Sequence, residues 1–330
     1  MPSLRSGVVT GFICLSVALV ACSSSPAAVS SEEETPQGEG NFPITVNNCG
    51  FDVHLEDPPE RIVTIKSTST ELVLALGLGE NLVGHAFPDG DLPEKLTMPS
   101  PAPPLLSDQA PTKEAILGVE PDVVFGGWES NFTQETSGER EALAELGIAT
   151  YVAPPACQDE AYQPNPLTFD HIFDYILQVG QLLGASEQAQ ELISEQRDTK
   201  AAITPDERGL TSLWYSSGSD IPFVGGGIGA PQLLMETVGL DNINAEVDDT
   251  WASVSWEAIV AQDPDVIVLV DSAWNTVENK ISVLENNPMT AEMSAVQNSR
   301  YLTVDFPASE AGVRSVDAAL SLANQLADLE

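Results

Sequence analysis

Glu114–Gly127 reads EAILGVEPDVVFGG, and Glu257–Val270 reads EAIVAQDPDVIVLV. The two stretches agree at Glu-Ala-Ile, at Pro-Asp and at the following Val, offset throughout by 143 residues. Each pairs a short amphipathic helix with an apolar, β-branched run, and strands apolar throughout mark a parallel sheet covered on both faces. Helix–Pro–Asp–strand units of this kind also recur by chance in α/β proteins. Here they fall in halves of similar length, which favours internal duplication. The pattern predicts an α/β chain of two related lobes.

The flanking sequence alternates in the same way. RIVTI (61–65) reads as a strand and leads into a helix on which Leu72, Ala75 and Leu76 share a face, with Gly77 as a stop. LVGHA (82–86) is a second strand, GEREALAELG a helix ended by Gly147, and IATYVAP a further strand. The rhythm then breaks. Over 167–203, Phe169, Phe173, Ile176, Leu177, Val179, Leu182, Leu183, Ala189, Leu192 and Ile193 recur at helical spacing. The spacing predicts one long helix, or two with a joint near Gly184; about 35 helical residues would span roughly 50 Å, enough to bridge two lobes. Alternation resumes with TSLWYSS, APQLLMETVG, DVIVLVD, YLTVDF and SVDAALSLANQLADL.

Composition excludes several classes. The 330 residues carry 50 acidic and 12 basic side chains, a net charge of −38 that repels nucleic-acid phosphates. An apolar share of 42% supports a real core, unlike that of a disordered acidic chain. The acidity itself reads as a solvated, salt-tolerant surface, with a specialised attraction for cations as the other reading. At the start, MPSLRS precedes an apolar run, residues 7–21, too short for a membrane span but suited to an export signal. Val20-Ala21-Cys22 then resembles the lipobox of bacterial lipoproteins, which implies that Cys22 is acylated and anchors the chain outside the cytoplasmic membrane. A cleaved secretory signal with an incidental cysteine is the alternative. The Ser-, Glu- and Pro-rich segment after it reads as a tether. Two cysteines remain, Cys49 and Cys157, and in an exported chain they read as a disulfide, with two buried thiols as the alternative.

Enzymatic motifs are mostly absent: there is no nucleophile elbow, phosphate-binding Walker loop, His-Glu-x-x-His or Cys-x-x-Cys, and the competing reading of an exported α/β hydrolase would need a clustered carboxylate or nucleophile set. GGGIGA (225–230) only superficially matches a dinucleotide loop. The three histidines, His54, His85 and His171, do not make a converging metal set, so no metal site and no cofactor is expected. His85 ends a strand, where it could face a cleft. Phe87, Trp128, Tyr215, Phe223, Trp251, Trp274 and Phe306 fall largely at strand ends or in loops. Ligands of open α/β sheets bind beyond the carboxyl ends of strands, so these aromatics suggest a cleft for a large, flat or conjugated solute.

PPERIVTIKSTSTELVLALGLGENLVGHA, EAILGVEPDVVFGG, the central helical segment, VSWEAIVAQDPDVIVLVD and VRSVDAALSLANQLA together resemble the iron-siderophore and cobalamin substrate-binding lipoproteins of ABC importers. The resemblance covers nearly all of 43–330. It implies two Rossmann-like lobes with parallel sheets, joined by one long α-helix, with the ligand cleft between them and only modest closure. The boundaries it suggests are 1–21 for the signal, 22–42 for the tether with lipidated Cys22, 43–166 and 204–330 for the lobes, and 167–203 for the connection. It implies a monomeric binding protein, not an enzyme, whose partners are a permease dimer and a small-molecule solute: a ferric siderophore first, cobalamin or haem next. IKSTSTE, DSAWNTVENKI and FPASEAGVR also look like a subgroup assigned to a phosphate-bearing deazaflavin precursor. Lys66, Ser67, Thr68 and Thr70 lie where the first strand meets a helix N-terminus, which offers N–H groups to an anion. Arg314 matches a basic residue that faces the cleft in the family. Glu114 and Glu257 match the glutamates that dock on permease arginines; each also suits the first turn of a helix capped by Thr112 or Ser255, through the helix dipole alone.

Overall fold

The computed structural model describes residues 42–329. The export signal, Cys22 and nearly all of the tether lie outside the described residues. An antiparallel hairpin of β1 (Ile44–Asn48) and β2 (Phe51–Leu55) opens the fold. Its turn residue Cys49 is disulfide-bonded to Cys157, with the Cα atoms 5.3 Å apart.

The first lobe continues as β3 (Ile62–Ile65), α1 (Ser67–Ala75), β4 (Leu82–Ala86), β5 (Leu105–Ser107), α2 (Lys113–Leu117), β6 (Val123–Gly126), α3 (Arg140–Ala144) and β7 (Ala149–Val152). Its sheet, ordered β5-β4-β3-β6-β7, is parallel throughout. Both faces are buried, and alternation divides them. Ile62, Val123 and Phe125 point to one core, while Val63, Ile65 and Val124 meet Ile116 of α2 and Leu143 of α3 on the other.

Two helices, α4 (Phe169–Leu182) and α5 (Ser186–Ala201), connect the lobes. Of the two alternatives read from the spacing, the joint near Gly184 is the one observed, which corrects the single long helix that the family resemblance implies. Gly184 takes φ 75°, Gly184 N–H donates to Gln181 O (3.3 Å), and Ala185 N–H donates to Gly180 O (2.6 Å). That is the Schellman stop, for which a glycine in the left-handed region is the low-cost residue. The chain then turns back. Arg197 lies over the Phe173 ring (5.2 Å) and Lys200 over Phe169 (5.4 Å), the register of an antiparallel hairpin. A Cβ on Gly180 would stand 2.4 Å from that of Ala189, so the close approach of the helices requires glycine there.

The second lobe comprises β8 (Leu210–Ser217), β9 (Phe223–Gly225), α6 (Ala230–Thr237), β10 (Leu240–Asn242), β11 (Trp251–Ser253), α7 (Trp256–Gln262), β12 (Val266–Asp271), α8 (Val277–Asn286), α9 (Ser294–Gln297), β13 (Tyr301–Asp305) and α10 (Ser315–Ala327). Strands β10, β8, β12 and β13 are parallel, but β9 runs antiparallel to β8 and to β11, so this sheet is mixed rather than parallel. The cause is the β8–β9 connection, too short for the crossover a parallel neighbour needs. Val266, Val268 and Val270 of β12 face one side, and Ile267 and Leu269 face α7 and α8 on the other.

The duplicated stretches occupy equivalent places. Helix α2 feeds β6, which pairs with β3 and then β7; α7 feeds β12, which pairs with β8 and then β13. One apolar core runs through both lobes, from Phe125 and Tyr151, through Ile172, Ile176 and Val179 of α4, to Trp214 and Val268. Breaching so continuous a core would expose apolar surface, which restrains relative motion of the lobes.

Candidate ligand-binding cleft

The centre of the cleft is built by the residue between β3 and α1. Lys66 is fully buried and has φ 81° and ψ 154°, backbone that side-chain-bearing residues rarely adopt and that costs on the order of 1–3 kcal/mol. Its surroundings hold it there. Lys66 N–H donates to Ala86 O (2.9 Å), and its carbonyl accepts from Thr70 N–H (3.2 Å) and Thr70 Oγ1 (3.1 Å). Its ammonium contacts Asp89 Oδ2 and lies 3.0 Å from Glu310 Oε1. The same ammonium sits 3.3 Å from the centroid of Trp128, 4.9 Å from Phe306 and 5.3 Å from Phe87.

Glu310 comes from the other lobe, in the turn between β13 and α10, and exposes only 12% of its side chain. Trp128 Nε1 donates to its Oε1 at 2.8 Å. Burial pushes the Glu310 carboxyl up to about 7, against the pull of Lys66 and with the help of Asp89. Asp89 is fixed in turn, since its Oδ1 accepts from Ser67 N–H (3.2 Å) and its own N–H donates to Ser67 Oγ (3.0 Å). A second buried pair joins the lobes at Arg314, whose Nε and Nη2 donate to Glu71 Oε2 (2.7 Å) and Oε1 (2.5 Å). Glu71 is fully buried, and burial, helped by the nearby charges of Asp89 and Asp305, raises its pKa against the pull of the guanidinium. Lys95 and Asp317 make a third, exposed, interlobe contact.

Trp128 divides the space around this centre. On one side lies a cavity of about 230 Å³ between Thr68, Ala153 and Pro155 of the first lobe and Asp249, Trp251 and Glu310 of the second. On the other lies one of about 600 Å³, walled by Phe87, Trp128, Trp274 and Phe306 with Asp91 and Asp108 at its rim. Phe87 meets Trp128 edge-on (5.8 Å), as Trp274 meets Phe306 (5.0 Å).

Of the residues singled out from sequence, Lys66, Thr68, Phe87, Trp128, Trp251, Trp274 and Phe306 meet at the cleft. Ser67 lies beside it, turned to Asp89. The remainder lie elsewhere. Tyr215 is buried behind the second sheet, packed edge-on against Trp256 with its hydroxyl donating to Gly218 O (2.8 Å), because alternation along β8 turns it away from the cleft. Phe223 stacks on Trp251 (6.0 Å) without lining either cavity. His85, on β4, is half-buried and outside both cavities, and burial lowers its pKa. Arg314 reaches the lobe interface but is occupied by Glu71, so neither it nor Lys66 offers a free charge to an anion. Glu71, Asp89 and Glu310 were the residues missed. Their one sequence signal is indirect: a buried Lys or Arg must be paired, so basic residues at the cleft demand carboxylates beside them.

Glu114 and Glu257 are exposed, each in the first turn of its helix. Thr112 Oγ1 accepts from Ala115 N–H (3.3 Å) and Ser255 Oγ from Ala258 N–H (3.2 Å). Crossover helices run antiparallel to the strands they join, so each begins at the carboxyl edge of its own sheet, which carries Lys66 and Trp128 in the first lobe and Trp274 and Phe306 in the second. Among the described residues, no three His, Cys, Asp or Glu side chains converge to hold a metal ion.

Two α/β lobes, a shared core and an aromatic cleft between them define a solute-binding protein of the two-lobed kind. The chain belongs to the periplasmic binding protein family, whose model matches residues 62–308. It is 24% identical over 335 residues to the ABC transporter substrate-binding lipoprotein YvrC of Bacillus subtilis, covering 98% of this chain and 97% of that one. It is 28% identical over 247 residues to a cobalamin-binding protein of Halobacterium salinarum, covering 71% of this chain and 60% of the relative. Among solved structures, a protein of the ABC-type Fe3+-hydroxamate transport system of Saccharomonospora viridis matches with a TM-score of 0.73 at 26% identity, covering 86% of this chain and 99% of that one.

Proposed function

We propose that this chain is the substrate-binding subunit of an ABC importer, which captures a bulky chelate in the interlobe cleft and presents it to a membrane permease. The observation that carries the reading is the pair of cavities around Trp128, walled by aromatic side chains contributed by both lobes. The larger cavity falls in the size range of pockets that bury a drug-sized ligand, and both have the apolar, aromatic lining typical of them. A ferric siderophore is the first candidate, in keeping with the Saccharomonospora relative, and a corrinoid the second, in keeping with the Halobacterium one. The ligand-contacting set is Thr68, Phe87, Trp128, Trp251, Trp274 and Phe306. A phosphate-bearing deazaflavin precursor loses its support, because Lys66 and Arg314 are both neutralised by carboxylates. Glu114 and Glu257 dock the two lobes on the permease, and acylated Cys22 holds the chain at the outer face of the membrane, as the name of its YvrC relative suggests.

The test is tryptophan fluorescence. Titrating the purified full-length chain in mild detergent with ferric hydroxamates and cobalamins should quench emission saturably, since Trp128, Trp251 and Trp274 line the cavities. Emission unmoved by every probe, with no rise in Tm, would refute the receptor reading.

A further inference from the structure

Granted the receptor reading, the charge of the cleft narrows the class of solute further than its size and shape do. Every ionisable side chain lining the two cavities is a carboxylate: Asp249 and Glu310 in the smaller, Asp89, Asp91 and Asp108 in the larger. The two cations that reach the interface are both committed. Lys66 lies between Asp89 and Glu310, and Arg314 forms a bidentate pair with Glu71. Asp91 and Asp108, by contrast, are exposed at the cavity rim, and among the described residues no Lys or Arg pairs with either carboxylate.

The aromatic walls point the same way. An aromatic face carries negative potential and attracts a cation within about 6 Å of its centroid. The Trp128, Phe306 and Phe87 rings already surround one ammonium, that of Lys66, at 3.3, 4.9 and 5.3 Å. Trp274 leaves 59% of its surface exposed at the mouth of the larger cavity, edge-on to Phe306. An anion arriving there would meet carboxylates and ring faces, and could recruit Lys66 only by stripping a buried ammonium from two carboxylates.

We propose that the cleft selects a solute bearing positive charge on a bulky, partly apolar body, with Asp91 and Asp108 attracting the charge and Trp274, Phe306 and Trp128 receiving it. In chemical terms this favours a ferric hydroxamate carrying an ammonium arm, or a positively charged corrinoid. It disfavours anionic ferric catecholates and phosphate esters.

Matched probes test the charge alone. The full-length chain in mild detergent is titrated with ferrioxamine B, which carries a free ammonium, and with its N-acetylated neutral form; with aquocobalamin below its pKa and with neutral cyanocobalamin; and with a triply negative ferric catecholate. The positive member of at least one pair should bind about tenfold more tightly than its neutral partner, and the preference should shrink as salt screens it. Asp91→Asn and Asp108→Asn should lower that ratio by weakening the charged probe more than its neutral partner, with thermal unfolding verifying that each variant is folded. Equal affinities within both pairs, tightest binding of the catecholate, or a ratio unmoved by the two substitutions would overturn the charge assignment with the receptor reading intact. If none of the probes binds, the receptor reading itself fails and the charge assignment falls with it.

Discussion

Replacing Glu71 by leucine tests how the two lobes are held together. Glu71 is fully buried and makes two hydrogen bonds with Arg314 across the lobe interface, at 2.5 and 2.7 Å. Its pKa is nevertheless raised, by burial first and by the charges of Asp89 and Asp305, against the pull of the guanidinium. The desolvation cost of a buried ion pair commonly matches or exceeds its attraction, so the pair is expected to contribute little net energy to the fold. Glu71→Leu leaves Arg314 buried with only Asp91 O and a looser contact to the exposed Asp305 at 3.6 Å. Removing one partner of such a pair costs about 3–5 kcal/mol. Unfolding entropy for the roughly 290 residues described is about 0.6 kcal/mol/K, so Tm should fall by about 5–8 °C. The double variant Glu71→Leu/Arg314→Met removes both charges and should recover to within about 1 kcal/mol of the parent, or exceed it. Urea and thermal unfolding of the four proteins close the cycle. Costs that simply add, or a Glu71→Leu loss below about 1 kcal/mol, would refute the reasoning. The solute affinity of the double variant is the second readout. A pair that contributes register rather than energy should, when replaced by apolar side chains, yield a stable protein that binds more weakly.

Three further outcomes are expected. The Glu310 carboxyl is raised to about 7, above its unfolded value near 4.5. The stability it contributes is therefore present below pH 4.5 and lost as pH rises through 7, a change of roughly 3 kcal/mol in all, of which Glu310→Gln should remove about 2 kcal/mol from the difference between unfolding curves at pH 5 and pH 7.5; identical pH slopes in parent and variant would count against it. Replacing Cys49 and Cys157 by alanine opens a cross-link between residues 108 apart. In the chain-entropy model this costs about 4–5 kcal/mol in unfolding free energy, and a loss under about 1 kcal/mol would show that the bridge constrains little. Glu114→Lys with Glu257→Lys should abolish solute uptake by cells while leaving fluorescence-measured Kd unchanged; uptake at the parent rate would reduce both residues to helix-end charges worth about 0.3–1 kcal/mol each.

The sheets were legible where a strand is apolar on both faces. RIVTI, PDVVFGG and DVIVLVD became β3, β6 and β12, because burial on both sides leaves a nearly unbroken apolar run, while LVGHA and YLTVDF became β4 and β13, which bury alternate residues. The three-residue strands β5, β9, β10 and β11 carry no such run and exist only through their pairing partners. Apolar periodicity continues across Leu183-Gly184-Ala185, since both helices bury apolar faces in the same core, so periodicity alone favours one rod. The stop lies in the backbone of Gly184, not in the hydrophobic pattern. Tyr215 is a parity error of the same kind. Leu213 and Tyr215 share the outer face of β8 with Trp256, while Trp214 between them faces the shared core.

The centre of the cleft was harder to read for a reason of charge balance. With 12 basic side chains among 50 acidic ones, a lysine at a strand end and an arginine at a helix start look like scarce positive charge reserved for an anionic ligand. Burial reverses that inference. An ammonium or guanidinium withdrawn from water needs a carboxylate within reach, and in so acidic a chain one is always near. Lys66 therefore becomes a strut between Asp89 and Glu310, and Arg314 a strut against Glu71, each closing the lobes instead of waiting for solute. The carboxylates left over, Asp91 and Asp108 among them, are then what the solute meets. The same scarcity that draws attention to the basic residues in the sequence makes the open part of the cleft negative.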